Sequence, residues 1–335
     1  MTTRLSDVIV PSVFNRYLSV ETTTKSAIFE SGILRPDPML SQFLAGGGLT
    51  TNVPFWNDLD DSEPDIASDD PEQHGTPSKV DANRALAIRN IRTKGWAAAK
   101  LTAELAGSDP MQRILQRVSA YWTRAYQRHL TAILTGIFAD NADNDSSDMI
   151  YDIGTDSGSA VTAAELVSAD AILEAAQTMG DASDALEVII MHSRVYKNLA
   201  EQNLIDFIPN SDGKVKFPTY LGYKVIKDDG VRKVQGANRI EYWTYLLGRG
   251  SIAWGESPVD KPVETDSDPS AGNGMGVEEL WTRRQYIMHP YGFKWTDTNR
   301  GADFPTNSEC QLAANWDRVY PERKQIMLAA LVTNG

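Results

Sequence analysis

The sequence predicts a mixed α+β subunit of elongated shape, and three observations carry that expectation. A helix-spaced apolar run in residues 108–140 is long for a compact domain. Two strand-like segments flank an acid-rich connection in residues 50–95, giving an arm with no core of its own. Helix-patterned and strand-patterned segments then alternate through residues 150–260.

The helix is the strongest element. In "SDPMQRILQRVSAYWTRAYQRHLTAILTGIFAD", Ser108 or Asp109 is placed to cap and Pro110 to occupy the first turn. Ile114, Leu115, Val118, Trp122, Tyr126, Leu130, Ile133, Leu134, Ile137 and Phe138 recur at helical spacing, with Arg113, Arg117, Arg124 and Arg128 interleaved. Roughly 30 residues at 1.5 Å each give ~45 Å. "DNADNDSSD" ends it.

Upstream, residues 1–43 read as an extended arm, and three glycines at positions 46–48 form a hinge or tight turn. Residues 50–59 read as a strand containing Phe55 and Trp56. An acidic loop follows, and the chain returns through Leu86, Ile88 and Ile91 alternating with Arg84, Arg89, Arg92 and Lys94. Downstream, residues 149–153 predict a short strand. Residues 162–179 predict a helix with Leu166, Ile172, Leu173 and Ala176 inward, and residues 186–191 a buried strand. Ser193 is placed to cap a helix to residue 203, and residues 220–227 and 241–254 read as strands. Residues 257–276 read as a polar linker, residues 277–295 as a strand pair, and the tail as short elements ending in "QIMLAALV".

The 335 residues carry a formal net charge of −13, which argues against sequence-independent binding to nucleic acid or an anionic membrane. A lone cysteine, Cys310, excludes an intrachain disulfide. No apolar run approaches the ~20 residues of a membrane span. Nor does the N-terminus read as a signal peptide, so a cytoplasmic setting is expected.

No chemistry-bearing motif stands out. His74, His129, His192 and His289 have no metal-ligand spacing, and each is expected to be structural. "AGGGL" and "GNGMG" match no phosphate-binding loop. "DNADNDSSD" lacks the glycine and closing glutamate of a calcium loop. There is no G-x-S-x-G. The expectation is a non-enzymatic chain without catalytic, cofactor-binding or metal-binding residues. Several elements cannot bury their apolar residues alone, as in a subunit that interlocks with its copies.

The order of parts resembles the major capsid proteins of tailed bacteriophages, the Hong Kong 97-type fold. "NVPFWNDL" resembles the first strand of that family's extended loop, the E-loop. "IRTKGWAAAKLTAELAGSDPMQRILQRVSAYWTRAYQRHLTAILTGIF" resembles its return strand, a short helix and the spine helix. The likeness is specific mainly across residues 50–140.

The resemblance implies an N-terminal arm over 1–45 and an E-loop over 46–95. It implies a peripheral domain with the spine helix from 96–148 and 277–335, and an axial domain over 149–276. It implies pentamers and hexamers closing an icosahedral shell around double-stranded DNA, assembled in the host bacterial cytoplasm. Phe55, Trp56, Asp58, Asp60, Asp61, Glu63, Asp65, Arg89 and Arg92 are then intersubunit contacts, with Arg113, Arg117, Arg124 and Arg128 as partners on the spine helix. A portal, a separate scaffolding protein (or a scaffolding segment removed before this numbering starts) and a cement protein are implied companions. No Lys, Asn and Glu match the family's isopeptide cross-link, so none is expected. Two other readings stay open: an encapsulin-like compartment shell, and a cytosolic enzyme with a site in residues 150–260.

Overall fold

The structure is a computed structural model. It describes residues 31–57, 59, 63–64, 66–67, 72, 74, 79–80, 82–101, 110–202, 206–209 and 215–335. The expected arm over residues 1–30 and the cap at Ser108 or Asp109 lie outside the described residues.

In chain order, β1 (Leu34–Pro36) leads into α1 (Pro38–Gly46). The side chain of Asp37 caps α1 by accepting from the Met39 amide at 2.8 Å. A hairpin follows, β2 (Thr50–Trp56) against β3 (Ala82–Ile88), and then β4 (Asn90–Ala99). Helix α2 (Pro110–Asn144) has 35 residues and so spans ~52 Å. Next come β5 (Ile150–Asp152), α3 (Ala169–Gln177), β6 (Leu186–Met191) and α4 (Ser193–Glu201). Strands β7 (Asp206–Pro209), β8 (Val215–Tyr220), β9 (Tyr223–Lys227), β10 (Lys233–Gln235), β11 (Ile240–Gly248), β12 (Ile252–Ser257), β13 (Val263–Asp268), β14 (Val277–Pro290) and β15 (Phe293–Trp295) follow. The chain ends with α5 (Asn307–Cys310), β16 (Trp316–Arg318) and β17 (Leu328–Thr333).

Two larger sheets organise the molecule. In the five-stranded sheet, β14 is the long central strand. It pairs with β12 and β13 along one edge and with β4 along the other, and β1 adds parallel to β12. The eight-stranded sheet runs β5-β17-β11-β6-β9-β8-β7, with β10 on β11.

Strand periodicity sets what each face of the second sheet meets. Ile189, Met191, Leu246, Ala329 and Leu331 pack with α3 and α4 residues such as Ile172, Ala175, Val195 and Leu199. Val188, Ile190, Tyr245, Leu247, Ala330 and Val332 turn the other way, into a core shared with α2. That same core holds Leu280, Tyr286 and Met288 of β14, so α2 lies across both sheets. Trp122 Nε1 donates to Thr282 Oγ1 at 3.0 Å at one end, and Phe138 stacks on Tyr245 at 5.2 Å near the other.

The sheets do not follow the expected segment boundaries. Residues 241–254, read as one strand, divide into β11 in one sheet and β12 in the other, turning at Gly250 with φ 70°. The expected linker at 257–276 contains β13, whose polar residues pair along β14. The expected pair in 277–295 is β14 followed by β15, which pairs with β16 instead. β17, placed with the peripheral part by the sequence reading, sits inside the eight-stranded sheet. The 220–227 strand is a hairpin of β8 and β9 turning at Leu221 and Gly222, both with positive φ. The helix read over 162–179 starts only at Ala169, capped by Ser168, and leaves Leu173 exposed. His192, not Ser193, caps α4, its Nδ1 accepting from the Arg194 amide at 3.1 Å.

Candidate functional site

The surface features of interest gather on the β2–β3 hairpin and the first half of α2. A two-stranded hairpin is marginal in water. This one is held at its root: Val53, Ala85 and Ala87 are buried against Leu40 and Leu44 of α1, Ala253 of β12 and Ile287 of β14. Alternation along β2 puts Phe55 on the same side as Val53, edge-on to Tyr320 at 4.8 Å. The adjacent Trp56 must then face away, and it is 73% exposed. Beyond it, Leu59 is 69% and Ile66 90% exposed. A hollow of about 280 Å³ beside the two aromatics is lined by Phe55, Trp56, Asn57, Tyr320 and Gln325. Glu63 is exposed, and Asp58, Asp60, Asp61 and Asp65 lie outside the described residues.

The two return-strand arginines bond within their own chain. Arg89 is only 8% exposed. Its Nη2 donates to the Phe43 and Leu44 carbonyls at 3.2 and 3.0 Å, and its guanidinium lies over the Phe43 ring at 5.2 Å. These bonds satisfy carbonyls at the C-terminal end of α1 that have no partner within the helix. Burial lowers the Arg89 pKa. Arg92 is half-buried and donates through Nη2 to the Pro305 carbonyl and to Asn307 Oδ1. Asn307 Oδ1 also meets His129 Nδ1 at 3.0 Å, so one amide ties α2, β4 and α5 together.

The arginines of α2 behave differently. Arg117, Arg124 and Arg128 are all exposed, and spacings of seven and four place them along one face. The Arg113 side chain lies outside the described residues. Arg117 and Arg124, with Trp96, Ile114, Val118 and Tyr121, line an open hollow of about 280 Å³ between β4 and α2. An acidic, partly apolar segment would suit it.

Two of the histidines are built into the core. His129 and His289 are buried, and burial holds both down to about 4. At the far end of α2, the helix runs on through the first five residues of "DNADNDSSD" to Asn144, and the chain then turns tightly with Ser146 and Ser147 both at φ 58°. There, burial first and then the charges of Asp145, Asp317 and Asp143 push Asp140 up to about 6, against the hydrogen bond from Asn144. Among the described residues, no group of three or more His, Cys, Asp or Glu is placed to hold a metal ion. A polar hollow of about 580 Å³ lies between Thr131 and Thr135 of α2, residues 229–233 and residues 308–312.

Sequence reasoning missed the Arg89 clasp, the Tyr320 seat beneath Phe55, and Trp281, which lies over Gly95 so closely that a Cβ there would fall 2.7 Å from the ring. A glycine directly before the Trp96 position was the one available signal for the last.

Comparison with known proteins identifies the surroundings of these features. Residues 110–327 match the Gp13-like family, described as major capsid protein 13-like. The chain is 38% identical over 327 residues to the major capsid protein of Bacillus phage SPP1, covering 96% of this chain and 95% of that one. Among solved structures, the Ralstonia phage GP4 capsid aligns with a TM-score of 0.60 at 10% identity, over 93% of this chain and 92% of that one. The Cyanophage Pam1 capsid asymmetric unit aligns at 0.58 with 12% identity, over 93% of each chain. The structural likeness shows a shared fold, and the family match with the 38% relative shows kinship. The chain belongs to the Gp13-like major capsid protein family and is a structural, non-enzymatic protein of a bacteriophage capsid.

Proposed function

We propose that copies of this chain assemble as pentamers and hexamers into an icosahedral shell of Hong Kong 97 type that encloses double-stranded DNA. On this reading the β2–β3 hairpin is the root of the E-loop and α2 is the spine helix. The peripheral domain is then the five-stranded sheet with α2, and the axial domain the eight-stranded sheet with α3 and α4. Assembly takes place in the bacterial host, with a scaffolding protein, a portal and a cement protein as separate partners. A wall with net charge −13 would hold packaged DNA without gripping it.

The observation that carries the reading is the exposed apolar end of the hairpin. It presents Trp56, Leu59 and Ile66 to solvent beside a connection, residues 58–72, that has eight carboxylates and no Lys or Arg. The exposed arginines of α2 have the opposite sign. In a neighbouring copy Arg117, Arg124 and Arg128, with Arg113, receive this segment. Complementary charge sets register and speeds docking more than it adds affinity.

The test is negative-stain electron microscopy of the full chain expressed with its candidate scaffold. Wild type should give shells, tubes, or rings of five and six. R117E/R124E should melt like wild type yet give none of these. Shells of normal yield from the charge-reversed variant would remove the docking reading.

A further inference from the structure

Strand β4 has a feature that the fold alone leaves unused. Arg283 N donates to the Pro262 carbonyl on the β13 side of β14, and Lys100 N donates to the Gly276 carbonyl. The register pairs Thr282 with Lys94 and Leu280 with Trp96. Even-numbered residues of β4 therefore bond toward β14, and Ile91, Thr93, Gly95, Ala97 and Ala99 turn their N–H and C=O groups to the other edge. Among the described residues, no strand pairs with that edge. The outward residues are half-buried or exposed. An open strand edge is a template for another chain. Its two sides carry apolar surface: Trp281, 40% exposed, lies over Gly95 on one face, and the hollow of Trp96, Ile114 and Tyr121 opens on the other. Lys94, Arg117 and Arg124 give the neighbourhood positive charge.

Resting on the docking reading above, we propose that this edge takes residues 58–67 of a second copy as an added strand. Residues 58–67 contain Asp58, Asp60, Asp61, Glu63 and Asp65, which answer the basic residues. Leu59 and Ile66 are an odd number of positions apart, so an extended strand directs them to opposite faces. One meets Trp281 and the other enters the hollow. Bonding through residues 59, 61, 63, 65 and 67 puts Pro64, which has no N–H, on the outside, where a strand tolerates it. The donor is a second copy because of where the segment leaves. It departs from the Trp56–Ala82 end of the hairpin, whereas β4 begins beyond Ile88 at the opposite end, ~23 Å away for seven residues.

Amide hydrogen exchange on wild type needs no variant. On going from unassembled protein to shells, the five outward amides of β4 should slow by about tenfold or more. Exchange at the unassembled rate would overturn strand addition. T93P and A97P remove outward N–H groups that do not bond to β14, so both should melt within a few degrees of wild type and yield few or no shells. If these variants form shells normally while R117E/R124E does not, strand addition is wrong and the docking reading stands. If R117E/R124E also forms shells, both fall.

Discussion

In the eight-stranded sheet β17 is buried at all six positions, with α3 and α4 on one side and α2 on the other. In the five-stranded sheet α2 covers one side, while α1 and the hairpin root cover the other only at its β12 end. The outer face of β14 and β4 carries Glu279, Trp281, Arg283, Thr93 and Ala97 near solvent, and among the described residues no strand lies beside the free edge of β4. The first sheet has both of its faces covered by its own chain. The second is finished only as far as one copy can finish it, which is how a subunit holds a fold and still keeps contacts in reserve for its neighbours. Substitutions should separate the two kinds of surface, internal ones by loss of fold and reserve ones by loss of assembly alone.

The largest effect is expected at Gly136 in α2. A Cβ there would lie 2.1 Å from the Cys310 carbonyl oxygen and 2.5 Å from Trp316 Nε1, atoms already bonded to each other at 2.8 Å. Gly136→Ala should cost about 3 kcal/mol or more, read as insoluble protein or a collapsed melting temperature. Arg89→Ala comes next. It leaves the Phe43 and Leu44 carbonyls short of a charged donor and should cost about 2 kcal/mol in denaturant unfolding, loosening the hairpin root.

The third prediction uses pH. Asp140 is raised from 3.8 to about 6, so the folded state holds its proton more tightly than the unfolded one. Its contribution to stability is therefore present below pH 4 and lost as pH rises to about 6. Asp140→Asn keeps the acceptor for Asn144 and should stabilise the protein at pH 7, with no gain below pH 4. Water around the exposed Asp143 screens the site, which keeps the gain to about 1 kcal/mol. His129 and His289 act in the opposite sense: neutral and buried, they lose stability as pH falls from 6.5 toward 4. Without Asp140 to offset them, the variant should lose stability more steeply on acidification through that window. The smallest effect on folding is expected at Trp56. Trp56→Ala should change stability by less than about 0.5 kcal/mol, yet shells should be scarce in micrographs.

Legibility in the sequence divides along the same line. Elements that bury a periodic face were readable: the α2 apolar positions from Val118 onward are buried, and "LEVIIM" is β6. Elements that borrow their burial from a partner were not. β13 reads "VETDSD" and has almost no apolar signal, because β14 supplies the frame it pairs with. The division of residues 241–254 had a signal in "GRG", since glycines inside a strand pattern mark a break. The candidate surface was half legible. Adjacent aromatics in a strand must face opposite ways, which separates Phe55 from Trp56 without a structure. That Arg89 turns inward and Arg117 outward depends on which carbonyls lie within reach, and spacing carries no record of that.

Because α2 lies across both sheets and packs into a core common to them, melting of either sheet should strip part of the core from the other. In mechanical terms the helix is a beam fixed to two plates, and the β11–β12 turn at Gly250 is a second tie between them. A load pressing on one plate is delivered to the other through this beam rather than absorbed by a hinge. The chain should therefore unfold in one calorimetric transition and yield to pressure as a stiff panel.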